Sequence, residues 1–217
     1  MRSYPGATPV VMSKRKKWDE DTQGCCCGIS NFLQSIFAPG WQAREPKIVV
    51  AAAEGTVDDV RRCLAAGKDV NATNLDGETA LMKAVARGDE EVIAALIQGE
   101  ADVNATDNWQ QTALMKAAWG GREGAVVRLL LAGAAVDAQD NCGDTGMAKA
   151  AWNAHVGVMA TLLGSSASVH LHRVDGEDAL QDAATQGHGE AVQLLLQARA
   201  NVNRQNWCGE TALMKAA

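Results

Sequence analysis

The sequence predicts an all-α protein, a solenoid of stacked helix–turn–helix units that follows a non-repeating N-terminal segment. Three observations carry this. Thr79, Thr112, Thr145 and Thr211 recur at spacings of 33, 33 and 66 residues, with Asp178 in the skipped place. Turn glycines and paired apolar residues recur in the same register. Only 4% of residues are aromatic, and most of those are Trp, so the core has to be built from Ala, Val, Leu and Met, a list suited to closely packed helices.

Each element follows from the repeated text. Thr-Ala-Leu-Met-Lys-Ala stands at 79–84, 112–117 and 211–216, and counting back 33 residues from Thr79 reaches Pro46, where a weaker first copy opens. Thr79 is placed to cap a helix whose Leu81, Ala84 and Val85 share one face. Gly55, Gly88, Gly121 and Gly187 then mark the turn, with Ala154 as the exception. Glu90 and Glu91 put negative charge in the first turn of a second helix, whose Val92, Ile93, Leu96 and Ile97 form a wide apolar stripe. The copies close on Val70-Asn71, Val103-Asn104, Val136-Asp137, Val169-His170 and Val202-Asn203. Neither helix can bury its stripe alone, so neighbouring units must stack.

On period, glycines, leucine pairs and Val-Asn endings together, the chain resembles the ankyrin repeat family, whose unit is a short helix, a turn, a longer antiparallel helix and a projecting hairpin loop. The resemblance covers 43–217, in units counted 41–73, 74–106, 107–139, 140–172, 173–205 and a truncated 206–217. It departs from the family where Thr-Pro-Leu-His reads Thr-Ala-Leu-Met. It implies an interaction scaffold or adaptor, non-enzymatic and without cofactor, that grips a partner protein in the groove of its first helices and hairpin tips. A second reading makes the array the recruitment domain of a larger enzyme, channel or ligase subunit whose working part lies beyond Ala217, since the last copy stops inside its first helix.

Residues 1–42 do not repeat and have a composition that reads as largely disordered. Within them Cys25, Cys26 and Cys27 precede a short amphipathic run ending Phe32-Leu33-Gln34-Ser35-Ile36-Phe37, with Lys14-Arg15-Lys16-Lys17 upstream. Acylation of the three thiols beside a basic patch would tether the chain to a membrane. The alternative is an unmodified tail that docks over the first repeat. The basic run also has the look of a short nuclear import signal, although runs this short are more often solvated charge.

Several chemistries are excluded. The six cysteines include no CxxC pair and suggest a reducing, cytoplasmic setting, with nuclear or membrane association as alternatives. Residues 43–217 carry 23 acidic against 15 basic side chains, which argues against nucleic acid. His170 and His172, with Asp175 and Cys142, lack metal-site spacing, because His170 fills the Val-Asn slot and His172 a loop slot. His155 and His188 read as turn residues. The glycine-rich corner at 120–124 lacks a phosphate-loop ending, and no nucleophile has a base and an orienting acid at a recognisable spacing.

The contact residues expected of the partner-binding surface are four tryptophans and six carboxylates. Trp119 and Trp152 end first helices, and Trp109 and Trp207 stand at hairpin tips, none on a core position. Asp76, Glu78, Asp144, Asp175, Glu177 and Glu210 would line one rim as a ladder of like charge suited to a basic partner segment. The resemblance implies that Asn71, Asn104 and Asn203 brace the hairpin, and it permits them as targets of asparaginyl hydroxylation, the alternative being the purely structural role. The tight turn after the second helix has Gly67 and Gly133 but Glu100, Ser166 and Arg199 elsewhere. Gly99 and Gly164 are expected to relieve two of these by a one-residue shift, leaving 140–205 the least protected span and 74–139 the firmest.

Overall fold

The computed structural model describes residues 45–217; Cys25–Cys27 and the amphipathic run after them lie outside the described residues. The first unit supplies α1 (Lys47–Glu54) and α2 (Val57–Ala65), and the second α3 (Ala80–Arg87) and α4 (Glu90–Gln98). The third and fourth supply α5 (Ala113–Trp119), α6 (Glu123–Leu131), α7 (Gly146–Trp152) and α8 (Val156–Gly164). The last are α9 (Ala179–Thr185), α10 (Gly189–Gln197) and a single turn, α11 (Ala212–Lys215). Among the described residues there is no extended strand, only isolated antiparallel bridges at hairpin bases such as Thr73 to Thr79 and Thr106 to Thr112.

The threonine register caps the first helices. Thr79, Thr112 and Thr145 accept from the backbone N–H three residues on, at 3.3, 3.3 and 3.2 Å. Each such cap is worth about 1 kcal/mol. Asp178 does the same at 3.0 Å, and Gln181 returns the bond to its backbone N–H at 3.1 Å, closing a capping box.

First helices pack on first helices and second on second, which buries one residue per unit at each layer position. Leu81, Leu114, Met147 and Leu180 are at most 2% exposed, and Leu96, Leu129, Leu162 and Leu195 are fully covered. Alanines at 84, 117, 150 and 183 lie between them with no exposed surface, small enough to let helices approach closely. Each Leu of the second-helix layer contributes about 2 kcal/mol by leaving water. At the far end Leu213 and Met214 stand exposed, and Leu196 is partly uncovered.

The turns depart from the sequence expectation. Glu100, Ser166 and Arg199 all take the left-handed conformation, at φ 63°, 66° and 64°, so Gly99 and Gly164 relieve neither turn. The register is held by the backbone bonds Ala101 N–H to Leu96 carbonyl, Ala167 to Leu162 and Ala200 to Leu195, each 3.0 Å, which a one-residue shift would break. Ala154 at φ 56° and Gln110 at φ 61° are two further non-glycine residues in this region, and the second was not foreseen.

Candidate protein-interaction surface

The hairpin loops are built from their bases. The side-chain oxygen Oδ1 of Asn74 accepts from the N–H groups of Asp76 and Glu78, at 3.0 and 2.8 Å, and Asp107, Asp140 and Asn206 repeat the arrangement. One backbone bond joins each tip to the next: Asn108 N–H to the Asp76 carbonyl at 3.0 Å, Asn141 to Trp109 at 3.1 Å, Val174 to Cys142 at 2.9 Å and Trp207 to Asp175 at 3.0 Å. The tips thus form a continuous edge along the stack.

The six rim carboxylates do not form a ladder of like charge. Lysines four residues after each threonine interleave with them. Glu78 pairs with Lys83 and, at 3.0 Å, with Lys116, which also reaches Asp107 at 2.8 Å. Lys149 lies 2.8 Å from Asp140 and 3.5 Å from Asp144, and Glu177 is held by Lys215 and, at 2.6 Å, by Arg173. Asp144 is buried, Asp76 half-buried, and Asp175 and Glu210 exposed. Burial alone would raise the Glu78 carboxyl, but hydrogen bonds from Lys83 and Lys116 outweigh it and hold the pKa at about 2. Burial raises Asp144 against the pull of Lys149 and Arg173.

Arg173 is the residue that sequence reasoning missed. It occupies the hairpin-base position held elsewhere by Asn74, Asp107, Asp140 and Asn206, and its partner Asp182 occupies the place of Lys83, Lys116, Lys149 and Lys215. The in-unit pair is therefore reversed in sign. Arg173 donates to Asp182 and Glu177, both at 2.6 Å, lies 3.6 Å from Asp144, and spreads over the Trp152 ring at 5.9 Å from its centroid. Burial drives the Asp182 carboxyl above the usual range even so. The swap is visible in the sequence only once hairpin base and first helix are known to touch.

The four tryptophans differ in exposure. Trp207 at its tip is 79% exposed and Trp119 at the end of α5 is 46% exposed, whereas Trp109 and Trp152 are half-buried. His155 and His188 do more than turn the chain. Each precedes a second helix and reaches back to the previous unit, His155 Nε2 lying 3.0 Å from the Trp119 carbonyl and His188 Nε2 3.0 Å from that of Trp152. A carbonyl only accepts, so these contacts select the tautomer protonated on Nε2.

The asparagines at the Val-Asn endings brace the next unit. Asn71 accepts from Asp102 N–H at 2.8 Å; Asn104 accepts from Ala135 N–H at 2.8 Å and donates to the Gly133 carbonyl at 3.2 Å. Asp137 continues the series to Ser168 N–H at 2.9 Å, His170 interrupts it, and Asn203 is exposed. Among the described residues no group of three or more His, Cys, Asp and Glu is arranged to hold a metal ion, and no helix is long and apolar enough to cross a membrane.

A family model described as ankyrin repeats in three copies matches residues 48–140 and 147–217. No curated protein matches the chain. With first helices capped from the second unit onward, second helices packed behind them and hairpin tips in register, the chain belongs to the ankyrin repeat family.

Proposed function

We propose that this chain is a scaffold or adaptor that holds a partner protein along its first helices and hairpin tips, with no chemical step of its own. Ankyrin repeats are in general protein–protein interaction modules and typically non-catalytic. The observation that supports the reading here is where the large apolar side chains stand in water. Trp119 ends a first helix and Trp207 tops a hairpin, with exposed Val174 and Leu75 at the same tip position one and four units earlier. Tryptophan left wet is costly, and truncating it at an interface often removes about 2 kcal/mol or more. Asp175 and Glu210, the most exposed rim carboxylates, would favour a basic segment in the partner.

A photo-cross-linking residue placed at position 119 tests this, with position 131, an exposed leucine on a second helix, as the control. A defined protein should be captured from 119 and not from 131, and Trp207→Ala should reduce that capture while leaving the melting temperature unchanged. Equal capture at both positions, or none at 119, overturns the assignment.

A further inference from the structure

Trp119 and Trp152 stand 33 residues apart in the same register, and both carbonyls meet a histidine Nε2 at 3.0 Å from the following unit. Their surroundings differ at the following hairpin base. Over Trp152 lies the guanidinium of Arg173, supplied by the next hairpin base, 5.9 Å from the ring centroid. The residue one repeat before Arg173 is Asp140, an acid, whose carboxylate is engaged by Lys149 at 2.8 Å. Trp152 is half-buried, whereas Trp119 keeps 46% of its surface in water.

An indole face attracts a cation through its quadrupole, and a guanidinium suits it best because it is flat, weakly hydrated and able to stack. The chain itself thus displays, at Trp152, what this geometry accepts. At the hairpin base beyond Trp119 stand Asp140 and Asp144, which Lys149 holds at 2.8 and 3.5 Å while Arg173 lies 3.6 Å from Asp144, so that base presents carboxylates where the base beyond Trp152 presents a guanidinium. Resting on the reading of this surface as a protein-binding one, we propose that Trp119 receives an arginine side chain of the partner, which takes over Trp119 the position that Arg173 takes over Trp152. Arg173 is then an internal copy of the ligand.

The test follows the indole N–H signals of the full chain by NMR during titration with a short glycine–serine peptide carrying one central arginine, and with its citrulline counterpart. The arginine peptide should shift the Trp119 signal saturably and leave Trp152 unmoved, and citrulline, equal in shape but neutral, should shift neither. Trp119→Ala should weaken the peptide by roughly three- to thirtyfold. The paired substitution Asp140→Arg with Lys149→Asp transplants the reversed pair into the fourth unit, and should cover Trp119 and abolish its response. The converse pair, Arg173→Asp with Asp182→Lys, should uncover Trp152 and add a second saturable response. Equal shifts from citrulline overturn the proposal, as does an unchanged Trp119 response in a folded transplant. Should the transplant fail to fold, the converse pair decides, and silence at Trp152 overturns it. Partner cross-linking at 119 without any arginine response overturns the arginine slot alone; loss of both overturns the scaffold reading as well.

Discussion

Arg173 donates to Asp182 across 2.6 Å, and this pair is the charge-inverted counterpart of Lys116 with Asp107 and Lys149 with Asp140, each at 2.8 Å. Both members are largely buried, so the consequence of breaking the pair is asymmetric. Removing Arg173 strands the buried Asp182 carboxyl, at a cost of about 3 kcal/mol or more, whereas Arg173 without Asp182 keeps Glu177 at 2.6 Å and Asp144 at 3.6 Å. Arg173→Ala should therefore unfold the stack at markedly lower denaturant, and Asp182→Ala should cost less. Arg173→Asp combined with Asp182→Lys, which restores the polarity of the neighbouring units, should recover at least half of the loss. A double variant no better than the worse single one, in a urea titration, would show that the position matters and the pairing does not.

Glu78 ties acid stability to the second and third units. Its folded-state pKa lies near 2, below the ordinary 4.5, so its contribution is present above pH 4.5 and is lost as the pH falls towards 2. The side chain is 15% exposed, and the shift corresponds to about 3 kcal/mol. Glu78→Gln should reduce stability at neutral pH by that order and flatten the dependence on pH below 4.5. An unaltered slope in acid unfolding would remove Glu78 from this role.

The left-handed turns predict cheap stabilisation. Ala154 at φ 56° and Arg199 at φ 64° adopt a conformation that costs an L-residue roughly 1 kcal/mol. Ala154→Gly and Arg199→Gly should each raise the melting temperature by a few degrees. Ala154, Ser166 and Arg199 fall in 140–205, against Glu100 and Gln110 in 74–139. Hydrogen exchange should accordingly be faster in the later span, by a margin smaller than the number of missing turn glycines alone would suggest. Uniform protection across both spans would contradict this.

The Val-Asn series contains its own control. Both Asn104 and Asn203 are exposed, but the Asn104 side chain bonds the Ala135 N–H and the Gly133 carbonyl of the next unit, and the Asn203 side chain makes no such bond among the described residues. Asn104→Ala should cost about 1 to 2 kcal/mol and Asn203→Ala close to nothing, measured by chemical denaturation. Equal losses would mean that the brace acts within its own hairpin.

Much of this architecture was legible before any coordinates. Threonine caps, the Leu and Ala layers and the absence of Trp from core positions depend on residues within one unit or on strict repetition, and local sequence reports both. The histidine contacts were not legible, because residues 36 apart meet only when two units stack. Nor were the left-handed Glu100 and Ser166, since the backbone bond that holds each turn in register outweighs the attraction of a neighbouring glycine.

By itself the sequence determined the repeat, the helix ends, the buried faces and the family, all of them set by periodic burial and capping. Only the tertiary structure decided the character of the surface. Glu78 meets Lys116 and Glu177 meets Lys215 across 38 residues, turning an apparent acidic ladder into alternating pairs. Trp119 and Trp152, alike in the sequence, part company because an arginine from the following unit lies over one of them. The reason is common to both outcomes: charge pairing and solvent exposure depend on which side chain the next unit brings alongside.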